Sequence, residues 1–168
     1  YRAGQAFDCV YAIRAGAVKL VSATAGGRER IVGMKFRDDW LGLEGIARQR
    51  YAWDAVATDV GEVLVVDYAA LLQSTSRVPQ LLPLLMETVG RQLAQADSTE
   101  CALGSLPADA RVARFLSLWN ESLESRGLRG DQITMPLTRA GIGTHLGMTL
   151  ETVSRSMTRL ARKQLIRF

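Results

Sequence analysis

The chain has 168 residues, with 21 Lys and Arg against 17 Asp and Glu, one His, two Cys and 48% apolar residues. These values are globular and exclude long disorder, collagen-like and mucin-like sequence; no run approaches the ~20 uncharged apolar residues of a membrane-spanning helix. Cys9 and Cys101 make no CxxC pair and no disulfide framework, which suits a reducing compartment.

The chain opens on Tyr1-Arg2-Ala3-Gly4, with no signal-peptide pattern, and closes on the strand-like alternation Leu165-Ile166-Arg167-Phe168. Both ends read as lying inside structure, so a piece of a longer protein is expected. Residues 1–72 read as β. Runs such as Val10-Tyr11-Ala12-Ile13, Val18-Lys19-Leu20-Val21 and Val63-Leu64-Val65-Val66 are separated by Ala15-Gly16, Ala25-Gly26-Gly27 and Asp38-Asp39. Short strands at such spacing predict an antiparallel sandwich or roll. A first domain is placed at 1–77, nearly neutral with ten basic and nine acidic residues.

Residues 78–104 predict one long helix, with Pro79 tolerated in its first turn. Leu82, Met86, Val89, Leu93, Ala96, Glu100 and Leu103 alternate four and three apart, a coiled-coil seam with one polar interruption. The same pattern would serve a helix packed on its own domain. Length favours self-association, since a helix of about 27 residues spans roughly 40 Å. Gly90 weakens it locally by ~1 kcal/mol.

Residues 105–168 predict a helical domain. Pro107-Ala108-Asp109 starts a helix whose Val112, Phe115, Leu116 and Trp119 recur at helical spacing. Gly127 and Gly130 interrupt the chain, and Ile133-Thr134-Met135-Pro136 is extended. Two short helices follow, near 139–146 and 150–163. Gly147 suits a tight turn with positive φ, and Gly143 removes a side chain where the helices cross. Ile142, Leu146, Met148, Val153 and Met157 form the expected core, and Thr149 is a candidate N-cap.

The second helix presents Glu151, Ser154 and Arg155 at i, i+3 and i+4, near its N-terminus. A helix lying in the major groove reads bases with its N-terminal residues. Glu accepts from cytosine N4, Arg donates to guanine O6 and N7, and Ser does either. Arg159, Arg162 and Lys163 continue toward phosphates, with Thr138, Thr149 and Thr152 as backbone or supporting contacts. Residues 137–168 hold six basic residues and one acidic, so the whole net charge of +4 resides in this segment. A helical hairpin with a solvated surface is the plain alternative, because a Glu and Arg four apart are ordinarily a weak surface pair.

Roll, long helix and Leu137-Thr-Arg-x-x-Ile-Gly-x-x-Leu-Gly-x-Thr-x-Glu-Thr-Val-Ser-Arg155 together resemble the CRP/FNR family of bacterial transcription regulators. The likeness extends to Tyr11-Ala-Ile-Arg-Ala-Gly-Ala-Val-Lys19 and Trp40-Leu-Gly-Leu-Glu-Gly-Ile46. Glu151-x-x-Ser154-Arg155 is similar to the FNR branch, whose half-sites resemble TTGAT; the catabolite-activator branch carries Gly where Ser154 stands. The resemblance implies an α+β chain: an antiparallel, cyclic-nucleotide-binding-like jelly roll, a dimerisation helix, and a winged helix-turn-helix whose wing would begin where this chain stops. It also implies a cytoplasmic, homodimeric regulator of palindromic double-stranded DNA that contacts RNA polymerase and answers oxygen, redox or a related metabolic signal.

The residues argue against the family's usual effectors. The branch's iron–sulfur cluster draws on cysteines in an N-terminal segment absent here and on a strand position held by Leu64 or Val63. A cluster wants about four thiolates, and Cys9 reads as a small residue of the fold. The cyclic-nucleotide cassette keeps Arg50, a weak effector-pocket candidate with Tyr51. Trp40 occupies the ribose-glutamate position, Asp39 that of the preceding glycine, and Tyr51 that of the hydroxyl after the arginine. His145, the single histidine, lies in the helix-turn-helix, so haem is not supported. No Ser/His/Asp set, metal-spaced cluster or phosphate loop argues for an enzyme. Two rivals stay open: a cyclic-nucleotide-responsive regulator, and a sensing or dimerisation module whose helix-turn-helix contacts protein.

Overall fold

The computed structural model describes residues 1–23, 29–58, 60–124, 127, 129, 132 and 135–167, with side chains at all of these except 95–105 and 122. The expected Ala25-Gly26-Gly27 turn, Gly130, Ile133-Thr134 and Phe168 lie outside the described residues. So do the side chains of Ala96, Glu100, Cys101 and Leu103. The chain divides into two compact units, Tyr1–Asp97 and Ser98–Phe168.

The first unit is an antiparallel roll. Its strands are β1 (Cys9–Ala15), β2 (Ala17–Ala23), β3 (Glu29–Phe36), β4 (Trp40–Leu41), β5 (Asp54–Ala57) and β6 (Glu62–Asp67). They form two three-stranded sheets, ordered β4-β1-β6 and β3-β2-β5. The expected runs at 10–13, 18–21 and 63–66 fall within β1, β2 and β6. Val10 and Ile13 of β1 are buried in different cores, and a register shift between Leu20 and Val21 lets both join Val18 in the interior of β2. One core gathers Ile13, Val18, Leu20 and Leu41. A second gathers Phe7, Val10 and Tyr51.

The β reading runs too far at its C-terminal end. Tyr68–Arg77 is a helix, α1, capped by the Asp67 carboxylate, which accepts from the Ala70 N–H at 2.7 Å. Ala69, Ala70, Leu71 and Leu72 are helix formers without β-branching, and the cap decides their state. The long helix, α2, spans Leu81–Ser105 rather than starting at 78. Pro79 disfavours helical backbone at Val78, and a turn intervenes, with the Leu81 N–H donating to the Val78 carbonyl at 3.0 Å. Pro83 is then the proline within the first turn of α2, where its missing N–H costs nothing. Leu85 is buried, and the Gln92 amide donates to the Trp40 carbonyl at 2.6 Å, fixing this part of α2 to the roll.

The second unit contains α3 (Ala108–Glu124), α4 (Arg139–Leu146) and α5 (Leu150–Arg162). Val112, Phe115 and Trp119 of α3 are buried, as are Ile142 and Leu146 of α4 and Val153 and Leu160 of α5. Leu116, Met148 and Met157, expected in this core, are half-buried at its margin, while Leu160 enters it. No helix among the described residues is long and apolar enough to cross a membrane.

Candidate nucleic-acid interface

The turn between α4 and α5 is set by its glycines. Gly147 takes φ 65°, closing α4 in the left-handed region. Gly143 lies against the turn itself: a Cβ there would stand 2.6 Å from the Met148 carbonyl oxygen. The Met148 N–H donates to the Gly143 carbonyl at 2.8 Å. Thr138 caps α4, accepting from the Gly141 N–H at 3.1 Å, and Thr149 caps α5, accepting from the Thr152 N–H at 3.2 Å. The Thr149 and Thr152 hydroxyls are also hydrogen-bonded to each other at 2.9 Å. These three threonines therefore shape the helix starts.

Val153, Ser156 and Leu160 define the buried side of α5. Glu151, Arg155, Thr158 and Arg162 are exposed and recur at i, i+4, i+7 and i+11, so they form one outward row. Ser154, half-buried, flanks this row, and its carbonyl accepts from the Thr158 hydroxyl at 3.0 Å. Glu151 and Arg155 form no salt bridge with each other among the described residues, so the weak surface pair of the plain alternative is not made. Arg162 and Lys163 are exposed at the far end of the helix. Thr158 belongs to the row by period alone, a signal the sequence carries although it lies beyond the first turn of α5.

Arg159 differs from its neighbours. Its Nε donates to Asp109 Oδ2 at 2.7 Å and its Nη2 to Oδ1 at 2.5 Å. The Ser156 hydroxyl, fully buried, donates to the same Oδ1 at 2.7 Å. The Arg159 hydrogen bonds, then that of Ser156, hold the Asp109 carboxyl at about 2, below the usual range, with Lys163 adding a favourable field. Arg111, two residues on in α3, donates from Nε to the Leu106 carbonyl at 2.8 Å and reaches the Leu146 carbonyl, at the end of α4, from Nη1 at 3.5 Å. A cation at a helix C-terminus is favourably placed. The start of α3 thus touches both helices of the motif. Sequence reasoning found neither Asp109 nor Ser156 in this role, because the two stand 47 positions apart; a serine on the apolar stripe of α5 was the one available sign.

In the roll, Arg50 and Tyr51 point to different environments. Tyr51 is buried, stacked on Tyr1 with ring centroids 4.0 Å apart and edge-on to Phe7 at 5.6 Å. Its hydroxyl donates to the Cys9 carbonyl at 2.8 Å and accepts from the Cys9 N–H at 3.2 Å, and burial raises its pKa. Arg50 is exposed and donates to the Gly4 carbonyl at 2.7 Å. An open depression of about 410 Å³ near Arg14, Arg37, Trp40 and Leu64 includes neither residue in its lining. Cys9 is half-buried, and burial followed by the neighbouring Asp8 raises its thiol pKa. Among the described residues, no three His, Cys, Asp or Glu side chains are grouped as metal ligands.

A roll followed by a long helix and a helix-turn-helix defines a class of one-chain regulators with a sensory and a reading part. Comparisons with known proteins agree. Residues 1–77 match the cyclic nucleotide-binding domain family and residues 110–168 the Crp-like helix-turn-helix domain family. The chain is 32% identical over 166 residues to the transcriptional activator protein FnrA of Stutzerimonas stutzeri, covering 99% of this chain and 68% of that protein. It is 33% identical over 153 residues to the nitrogen fixation regulation protein FixK of Bradyrhizobium diazoefficiens, covering 90% of this chain and 63% of that one. The structure of FixK2 from Bradyrhizobium japonicum superposes with a TM-score of 0.86 at 27% identity, covering 100% of this chain and 82% of the other. The chain belongs to the CRP/FNR family of transcription regulators.

Proposed function

We propose that this chain is a homodimeric, sequence-specific DNA-binding regulator of the FNR type, reading TTGAT-like inverted repeats with α5. The observation that carries the reading is the outward row of α5: Glu151 and Arg155 stand exposed in its first two turns, while Val153, Ser156 and Leu160 are buried opposite. Ser154 beside them completes the FNR-like triplet. The exposed Leu82, Met86 and Leu93, with half-buried Val89, supply the seam of a two-fold dimer. A two-fold dimer matches half-sites one DNA turn apart, about 34–36 Å. The likeness to FnrA supports transcriptional activation, and with it a cytoplasmic setting and contact with RNA polymerase.

A cyclic nucleotide does not suit the residues present. Tyr51 is packed in the core where the cassette wants a small hydroxyl, Arg50 is turned to the Gly4 carbonyl, and Asp39 would face a phosphate. The roll position from which the FNR branch draws a cluster thiolate is held here by Leu64 or Val63, and neither side chain can ligate iron.

The test is fluorescence anisotropy of the protein on a TTGAT inverted repeat and on a scrambled duplex, from about 50 to about 200 mM salt. Log affinity should fall linearly with log salt concentration, with a slope near −0.9 for each phosphate neutralised, and the repeat should be preferred. Salt-independent binding, or equal binding to both duplexes, would favour a helix-turn-helix that contacts protein.

A further inference from the structure

We propose that Asp109 is a specificity-determining positioning residue: it fixes α5 through Ser156 and withholds Arg159 from the DNA backbone. This rests on the reading of α5 as the DNA-reading helix.

The case begins with the helical period. Arg155 and Arg159 are four residues apart, so Arg159 would extend the cationic row that Arg155 and Arg162 present. It does not, because both of its hydrogen-bonding nitrogens on one edge meet the Asp109 carboxylate, at 2.7 and 2.5 Å. A two-point guanidinium–carboxylate contact has fixed direction as well as charge. Arg159 Nη2 also lies 3.2 Å from the Ser156 hydroxyl, which closes a three-residue ring.

Ser156 explains why the ring orients the helix. Its hydroxyl is inaccessible to water and would be costly without a partner. Asp109 Oδ1 is that partner at 2.7 Å. One carboxylate, in the first turn of α3, thus holds two α5 residues spaced i and i+3. Turning α5 about its axis breaks one contact or the other. The row of Glu151 and Arg155 is thereby aimed by an acidic side chain that touches no base.

The charge consequence is separate. Arg and Lys that reach phosphates bind every sequence alike. Pairing Arg159 internally removes one such sequence-blind contact from each protomer. Asp109 therefore lowers attachment to every duplex alike, and leaves discrimination to the base-facing row that it aims through Ser156.

Asp109→Asn isolates the charge part, since its amide oxygen can still accept from Ser156 while the charge is gone, and Ser156→Ala isolates the orienting part. Wild type, Asp109→Asn, Arg159→Ala and the double variant are titrated on the inverted repeat and on random duplex across salt. Asp109→Asn should bind random duplex about tenfold more tightly per engaged protomer at about 50 mM salt, with a slope steeper by about 0.9. Binding to the repeat should tighten by the same factor, so the preference between the two duplexes should stay as in wild type. Arg159→Ala alone should leave the slope unchanged, and adding it to Asp109→Asn should abolish the gain. Ser156→Ala, which keeps the ion pair, should weaken binding to the repeat without steepening the random-duplex slope; circular dichroism checks the fold of each variant. A wild-type slope in Asp109→Asn, or a wild-type preference in Ser156→Ala, would overturn the proposal. So would a shallower slope in Arg159→Ala, which would place Arg159 on phosphate already. Failure of the DNA reading would look different, because wild type would then show no salt-dependent binding at all.

Discussion

Gly143 and Met148 are in closest approach at the heart of the helix-turn-helix: a Cβ on Gly143 would lie 2.6 Å from the Met148 carbonyl oxygen, a backbone atom. Gly147 differs, having φ 65° and open space around its Cβ position. Gly143→Ala should destabilise the second unit by about 1–3 kcal/mol, as overpacking does, and weaken DNA binding. Gly147→Asn should cost no more than about 1 kcal/mol, since Asn tolerates the left-handed region. Urea denaturation of both variants checks this; equal costs would mean that the crossing has room to give.

Asp109 makes stability acid-sensitive in a defined window. Its pKa is lowered in the folded chain to about 2, so it contributes stability above the unfolded carboxylate value near 3.9. That contribution should vanish as pH falls from about 4 to about 2. Melting curves of wild type and Asp109→Asn should therefore diverge above about pH 4 and converge near pH 2. A gap that persists at the acid end would assign the effect to something other than ionisation.

Glu151 and Arg155 carry the base-reading expectation. Glu151→Ala and Arg155→Ala should each lose about 1–3 kcal/mol of discrimination between the TTGAT repeat and random DNA. Unchanged preference in either variant would remove that residue from the reading set.

Met86 and Leu93 of the α2 seam are suited to test because both are exposed on the protomer. Leu93 is 62% exposed and Met86 54% exposed. Leu93→Glu should leave the protomer folded but disperse the dimer, as should a charge at Val89. Sedimentation velocity reads the outcome directly, and an intact dimer would move the interface elsewhere.

Tyr51 serves the core of the roll. Tyr51→Phe removes the hydroxyl that bridges the Cys9 carbonyl and N–H, which should cost about 1–3 kcal/mol through buried polar groups left unpaired. Because burial raises the Tyr51 pKa, the variant should keep the wild-type tyrosinate absorbance change near pH 10. Loss of amplitude there would mean that the ring reaches water.

Local signals were legible in the sequence where one short segment decides its own state. The helix-turn-helix is of this kind: Gly147 supplies a backbone angle, Thr149 a cap, and the spacing of Ile142, Leu146 and Val153 a buried side. The strands at 10–13, 18–21 and 63–66 followed from short β-branched and aromatic runs set between turn residues. Misjudgements fell at boundaries, where Asp67 caps a helix inside an apparent β region and Pro79 sits before α2 rather than within it. Arg50 and Tyr51, adjacent in sequence, were paired as an effector site, yet one faces solvent and the other the core.

By itself the sequence determined the order of roll, long helix and helix-turn-helix, the outward placing of Glu151 and Arg155 on α5, and the concentration of positive charge after residue 137. Periodicity and backbone preference act over a few residues, and net charge needs no geometry. Only the tertiary structure decided which cations remain available to that row. Asp109 and Arg159 are 50 positions apart, and no local rule joins them. Packing α3 against α5 does, because a buried Ser156 and a guanidinium at the helix margin both require the same carboxylate.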